Sequence, residues 1–349
     1  MDYLMRARSF VLIVLGLALT SGIQAHADES ADLVSFSFDE PSRWNYVVNN
    51  FLQHVEDTVF APNNNWFPLV RFIGAGQFSD IEVDALSYGH DADTNLFDAF
   101  FSVGLGSQGV PGTDVSKEVP EEDRYSDIFA SDKGGQNTQI YDGDGSSAEI
   151  LGLLENASTN VDGLDMRPTT SKGLIYWSVS KATAETQNLY AAAVASGADI
   201  FIGLEGDGYS TNLPLVTYAD AWDLGLTGSD DVDAVVVIDS TADEVFDPLV
   251  DTIYFSLVDG STSLVASGVP PFAGSGPADV FMVGGGLVTP IIGASAAQLG
   301  LLNTDELDGL DLAIREEILI ALPEPHPMWM LLLGIGFLLT LDRYRRRPA

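Results

Sequence analysis

Apolar positions along this chain gather into short runs rich in valine, isoleucine, phenylalanine and tyrosine, separated by glycine, serine and aspartate. Such runs predict strands rather than helices. The runs recur in a fixed order. Val83-Asp84-Ala85-Leu86 returns as Val161-Asp162-Gly163-Leu164, Val232-Asp233-Ala234-Val235 and Leu307-Asp308-Gly309-Leu310, with the aspartates 78, 71 and 75 residues apart. A serine-centred apolar run follows the first three: Phe101-Ser102-Val103, Trp177-Ser178-Val179 and Phe255-Ser256-Leu257, with Phe36-Ser37-Phe38 as an earlier copy. Third come Ser126-Asp127-Ile128-Phe129, Ala198-Asp199-Ile200-Phe201 and Ala278-Asp279-Val280-Phe281. A fourth apolar stretch follows at 138–141, 213–218 and 289–292, and each unit then passes through Leu151-Gly152-Leu153, Leu224-Gly225-Leu226 or Leu299-Gly300-Leu301.

Four β-rich runs in each of four tandem repeats of about 75 residues predict an all-β fold, a four-bladed β-propeller with short helical insertions. The first repeat is divergent: Phe72-Ile73-Gly74-Ala75 stands where Ile291-Ile292-Gly293-Ala294 stands in the last. The chain enters on the serine run at Phe36 and leaves just after the aspartate run at Asp308, so the last strand is expected to complete the first blade. That arrangement removes an exposed edge. A row of sandwich modules and a solenoid are the rival all-β readings. Two stretches depart from strand spacing. Val47, Val48, Phe51, Leu52, Val55 and Val59 predict an amphipathic helix over 45–60, and residues 182–195 predict another. The layout resembles the hemopexin-like four-bladed propeller, although that family's longer aromatic and basic signature is absent and its blades are shorter. The resemblance implies bound ions near the repeated aspartates.

The two ends carry addresses. Residues 1–27 hold Arg6 and Arg8, an apolar run over 10–19 and the small-residue site Ala25-His26-Ala27, the plan of a secretory signal peptide handed to the Sec export machinery. Residues 28–320 form the repeat domain. Residues 321–349 hold Pro323-Glu324-Pro325, a short apolar run over 328–341 and a basic end with Arg345, Arg346 and Arg347. This tail resembles the PEP-CTERM sorting signal of Gram-negative bacteria. The resemblance implies a short transmembrane segment, transient anchorage in the inner membrane, processing by an exosortase, and release to the cell surface or extracellular matrix.

Charge narrows the function further. The chain has 51 acidic and 15 basic residues, a net charge of -36, and no cysteine. Nucleic acid is excluded as a partner because no basic patch can displace counterions from phosphate. A disulfide framework, a thiolate metal site and a cysteine nucleophile are excluded as well. The two targeting segments hold six of the arginines but only three of the acids, so the domain between them has 48 acids against nine bases.

Candidate chemistry is therefore carboxylate chemistry. Only His54 and His90 fall between the two targeting segments, and neither sits in a triad or metal motif. Asp91, Asp93, Asn95 and Asp98, and Asp142 and Asp144 with Glu149, place oxygens on alternate positions of tight loops, the pattern that suits Ca2+. The repeated Asp84, Asp162, Asp233 and Asp308 are further metal candidates; alternatively, each ties one blade to its neighbour by hydrogen bonds. Three functions are open at this point. One is a non-catalytic surface or matrix protein associated with exopolysaccharide. Another is a secreted carbohydrate-active enzyme using paired carboxylates. The third is a calcium-dependent adhesion module.

Overall fold

The computed structural model describes residues 34–37, 58–61, 69–72, 83–87, 99–109, 111–120, 124–131, 137–143, 151, 153, 159–167, 174–187, 196–204, 216–241, 244–266, 271–299 and 301–312. The chain divides into two compact units, Met1–Ala313 and Ile314–Ala349, and all of these residues lie in the first. They build four antiparallel four-stranded sheets, and the fold is mostly β.

In the first sheet the strand order is β16-β1-β2-β3, with β1 (Val34–Ser37), β2 (Thr58–Ala61), β3 (Leu69–Phe72) and β16 (Gly309–Leu312). The second runs β4 (Val83–Ser87), β5 (Ala99–Val103), β6 (Ile128–Ser131) and β7 (Asn137–Tyr141). The third runs β8 (Gly163–Arg167), β9 (Leu174–Ser178), β10 (Ile200–Leu204) and β11 (Val216–Ala219). The fourth runs β12 (Val232–Ile238), β13 (Thr252–Leu257), β14 (Val280–Gly284) and β15 (Leu287–Ala294). Three of the sheets are each built from four consecutive strands, and the first is built from β1 to β3 and the last described strand, β16, which pairs Leu310 with Phe36 and Gly309 with Ser37. This is the strand exchange expected from the phase of the repeats.

The aspartate strands β4, β8, β12 and β16 lie against one another. Close approach there demands small side chains. A Cβ on Gly163 would sit 2.4 Å from Ser178 Oγ and 3.0 Å from Val235 Cγ1, and one on Gly309 would sit 2.8 Å from Leu86 Cβ. The other two repeats carry Ala85 and Ala234 at this position, both 0% exposed. Outward from these strands the core continues in aromatic pairs. Phe101 packs on Phe129, Trp177 on Phe201 and Phe255 on Phe281, with ring centroids 5.9, 6.1 and 5.6 Å apart. One ring comes from the serine strand and one from the third strand of each sheet, so the same contact recurs in three repeats.

Helices are brief: α1 (Asp114–Glu118), α2 (Lys181–Gln187), α3 (Thr262–Ala266) and α4 (Ala296–Leu299). The helix expected over 182–195 begins one residue early, and its later part lies outside the described residues. The helix expected over 45–60 is corrected at its end. Thr58–Ala61 is strand β2, paired with β3. β-Branched Thr58 and Val59 and aromatic Phe60 favour extended backbone, and pairing with β1 and β3 overrides the helical spacing of a few apolar residues. Among the described residues, no helix is long and apolar enough to cross a membrane.

Candidate functional site

The four repeated serines are all 0% exposed, and each bonds to the neighbouring sheet. Ser37 Oγ donates to the Val83 carbonyl over 3.1 Å, and Ser102 Oγ to the Val161 carbonyl over 2.7 Å. Ser178 Oγ donates to the Val232 carbonyl over 3.3 Å, and Ser256 Oγ to the Leu307 carbonyl over 3.0 Å. Each acceptor immediately precedes a repeated aspartate. The first sheet is so tied to the second, the second to the third, the third to the fourth, and the fourth to β16 in the first.

A break in pairing sets the aspartates beside these bonds. On β4 the register passes from Val83↔Val103 to Ala85↔Ser102, leaving Asp84 as the extra residue. On β12 it passes from Val232↔Leu257 to Val235↔Phe255, a bulge that contains Asp233 and Ala234. A bulge re-aims the side chain it carries. Asp162, Asp233 and Asp308 are 4%, 6% and 4% exposed, and Asp84 is half-buried. Asn160 Nδ2 donates to Asp162 Oδ1 over 2.7 Å. Burial, and then the charges of Asp84, Asp231 and Asp233, push the Asp162 carboxyl well above the usual carboxylate range, against the pull of that hydrogen bond. The structure therefore brings Asp84, Asp162 and Asp233 into one electrostatic neighbourhood, with Asp308 buried at the equivalent position.

Asp231 joins them without any motif to announce it. Its Oδ1 accepts from the Lys181 backbone N–H over 2.8 Å, at the start of α2. Its own backbone serves the fourth sheet: the Val258 N–H donates to its carbonyl over 3.1 Å, and its N–H donates to Ser261 Oγ over 3.3 Å. The residue bridges the third and fourth sheets. Burial, with the charges of Glu306 and Glu185 adding to it, pushes its carboxyl up to about 7 despite the Lys181 hydrogen bond and charge.

The aspartates of the third marker do other work. Asp199 accepts from the N–H groups of Ser196 and Ala221 over 2.9 and 3.0 Å. Asp279 accepts from those of Gly276 and Ala296 over 2.9 and 2.6 Å. Asp127 accepts from the Gly143 N–H over 2.9 Å and from Gln139 Nε2 over 3.0 Å. Each holds the turn after its sheet's fourth strand, and Asp199 and Asp279 also hold the turn before the third. These carboxylates are committed to backbone donors that would otherwise be buried unpaired.

Among the described residues, no group of three or more His, Cys, Asp or Glu is placed to hold a metal ion. Asp84, Asp162, Asp233 and Asp308 form no such group. Asp142 is described, but Asp91, Asp93, Asn95, Asp98 and Asp144 lie outside the described residues, as do His54, His90 and the sorting residues Pro323, Glu324, Pro325, Arg345, Arg346 and Arg347.

No family model matches the chain, and no curated protein matches it. Among solved structures, it is similar to the crystal structure of an ancestral GH74 enzyme at 12% identity and a TM-score of 0.23. That alignment covers 68% of this chain and 21% of the other, so this chain spans about a fifth of that protein's length.

Proposed function

We propose that this chain is an exported, non-catalytic protein, sorted to the cell surface or extracellular matrix, whose four sheets are the blades of a closed propeller presented to exopolysaccharide. The observation that carries the reading is the serine relay. Four equivalent buried hydrogen bonds pass from sheet to sheet and return to the first through β16. A scaffold so tied is suited to rigid display, and the third-marker carboxylates within it are spent on turns. The acidic surface supports solubility in a polymer matrix. In this reading the signal peptide directs export through the Sec machinery, and an exosortase processes the tail at Pro323-Glu324-Pro325.

The test is to delete residues 323–349 and fractionate cells, medium and matrix. Retention of the truncated chain in the cell envelope supports exosortase-dependent sorting; unchanged distribution rejects it.

Calcium-dependent adhesion is a second reading, favoured by the alternating oxygens of the Asp91 and Asp142 loops. Melting in calcium and then in chelator separates the two, since a bound ion raises the midpoint by mass action. Superimposed curves remove the calcium reading and leave the first intact.

A further inference from the structure

Large apolar residues at the surface attract attention when the fold does not need them, and Trp222 is 78% exposed. It stands on the turn after β11, and the corresponding turn after β15 serves as an internal control. In the first turn the Asp220 N–H donates to Asp223 Oδ2 over 3.1 Å; in the second the Ser295 N–H donates to Gln298 Oε1 over 2.8 Å. The Leu226 N–H donates to the Ala221 carbonyl over 2.7 Å, and the Leu301 N–H to the Ala296 carbonyl over 2.7 Å. Ala221, Leu224 and Leu226 are buried, as are Ala296, Leu299 and Leu301. The two turns share these bonds and this buried apolar face. Where they differ, the second has Ser295, Ala297 and Gln298, and the first has Asp220, Trp222 and Asp223.

The tryptophan is thus an addition to a turn that forms without it, and the two carboxylates stand where Ser295 and Gln298 hold the second turn. They are also held rigidly. The Trp222 and Asp223 N–H groups donate to Asp220 Oδ1 over 2.9 and 3.0 Å, and the Gly225 N–H donates to the Trp222 carbonyl over 3.0 Å. Gly225 at φ 70° lies against β15, where a Cβ would come 2.6 Å from Pro290 Cδ. On either side of Pro290 along β15, Val288 and Ile292 are 71% and 38% exposed.

We propose that Trp222, with Asp220 and Asp223, is a docking platform for a neutral, hydroxyl-rich polysaccharide. An indole face covers the apolar face of a sugar ring at the entropic cost of its two side-chain torsions alone when the backbone of its turn is already fixed. Asp220 Oδ2 and Asp223 Oδ1 take no part in the bonds of the turn and can accept from sugar hydroxyls. The net charge of -36 opposes a polyanion, a second copy of this chain or any other acidic partner, but does not oppose a neutral polymer. The choice of polysaccharide rests on the matrix reading above; the platform itself rests on the comparison of the two turns.

The test is affinity electrophoresis of the full chain in native gels cast with hydroxyethyl cellulose or dextran, with alginate as the anionic control. The expected result is retardation by at least one neutral polymer and none by alginate. Trp222→Ala, which places there the residue of the second turn, loses about tenfold in affinity, the weight of one well-made aromatic contact. The Asp220→Ser, Asp223→Gln double variant, which carries the polar pair of the second turn, still folds cooperatively and binds more weakly. The proposal is overturned by equal retardation of wild type and Trp222→Ala, by no retardation in either neutral polymer, or by equal retardation in alginate. A change of oligomeric state in Trp222→Ala by sedimentation also overturns it, since that assigns the surface to a second copy. Fractionating the same strains keeps the two readings apart. Gel binding by a protein absent from the matrix rejects the localisation alone, and matrix retention without gel binding rejects the platform alone.

Discussion

Ser256 Oγ donates to the Leu307 carbonyl over 3.0 Å, joining the fourth sheet to the strand that completes the first. The acceptor lies in the last described segment and the donor in the fourth sheet, so this bond fastens β16 to a sheet other than the one it pairs with. Removing the hydroxyl leaves the Leu307 carbonyl buried without that donor, which costs about 1–3 kcal/mol. We expect Ser256→Ala to lower the free energy of unfolding in urea by that amount, and Ser102→Ala to do the same between the second and third sheets. The sites share no contacts, so the double variant should sum the two losses. A neutral result for both would remove the relay as a source of stability.

Gly163 offers a steric counterpart. Its missing Cβ would fall 2.4 Å from Ser178 Oγ and 3.2 Å from the Val235 backbone nitrogen. Gly163→Ala therefore forces β8 and β12 apart, at a cost of about 1–3 kcal/mol, as in other overpacked cores. Because part of the clash is with the serine hydroxyl, Gly163→Ala with Ser178→Ala should cost less than the two changes added. A double-mutant cycle by chemical denaturation measures that coupling, and strict additivity would contradict the proposed contact.

Much of this order was legible in the sequence. The recurrence of Asp84, Asp162, Asp233 and Asp308, the serine runs and the phase of the two ends predicted four strands per repeat and the pairing of β16 with β1. What was not legible is non-local. A serine in an apolar strand looks like a packing residue until the neighbouring carbonyl is known, and that carbonyl is 46 to 59 residues away. Asp231 carries no local signal for the same reason: its partner Lys181 is 50 residues distant. Asp127, Asp199 and Asp279 are visible as a marker, but their role as turn caps depends on donors brought in by a later strand or turn. The error at Thr58–Ala61 arose from Val55 and Val59 at helical spacing, a signal too short to outweigh strand pairing.

Asp279 accepts two backbone N–H groups, from Gly276 and Ala296, and is 3% exposed. Asp279→Ala strands both donors and costs about 2–5 kcal/mol, the penalty for two unsatisfied buried groups. Asp279→Asn keeps the carbonyl oxygen, and with it one acceptor, so its loss should be about half. Thermal melts of the two variants test the ranking. Equal loss in both would mean that charge rather than hydrogen bonding holds the turn.

The crowded carboxylates predict an inverted dependence of stability on pH. Asp231 has an ordinary value of 3.8 that folding raises to about 7, and Asp162 is raised as well. Between those values the folded chain holds a proton that the unfolded chain has released. Stability contributed by that proton is full below about pH 4 and is lost as pH rises through 7. We therefore expect the urea midpoint to fall on going from pH 5 to pH 8. The usual pattern for a carboxylate that gains a cationic partner has the opposite sign. Asp231→Asn keeps an oxygen for the Lys181 N–H but carries no charge beside Glu185 and Glu306. It should flatten the curve and raise the midpoint at pH 8, with little change at pH 5. A wild-type midpoint that rises from pH 5 to pH 8, or an Asp231→Asn curve that parallels wild type, would show that Asp231 does not carry the effect.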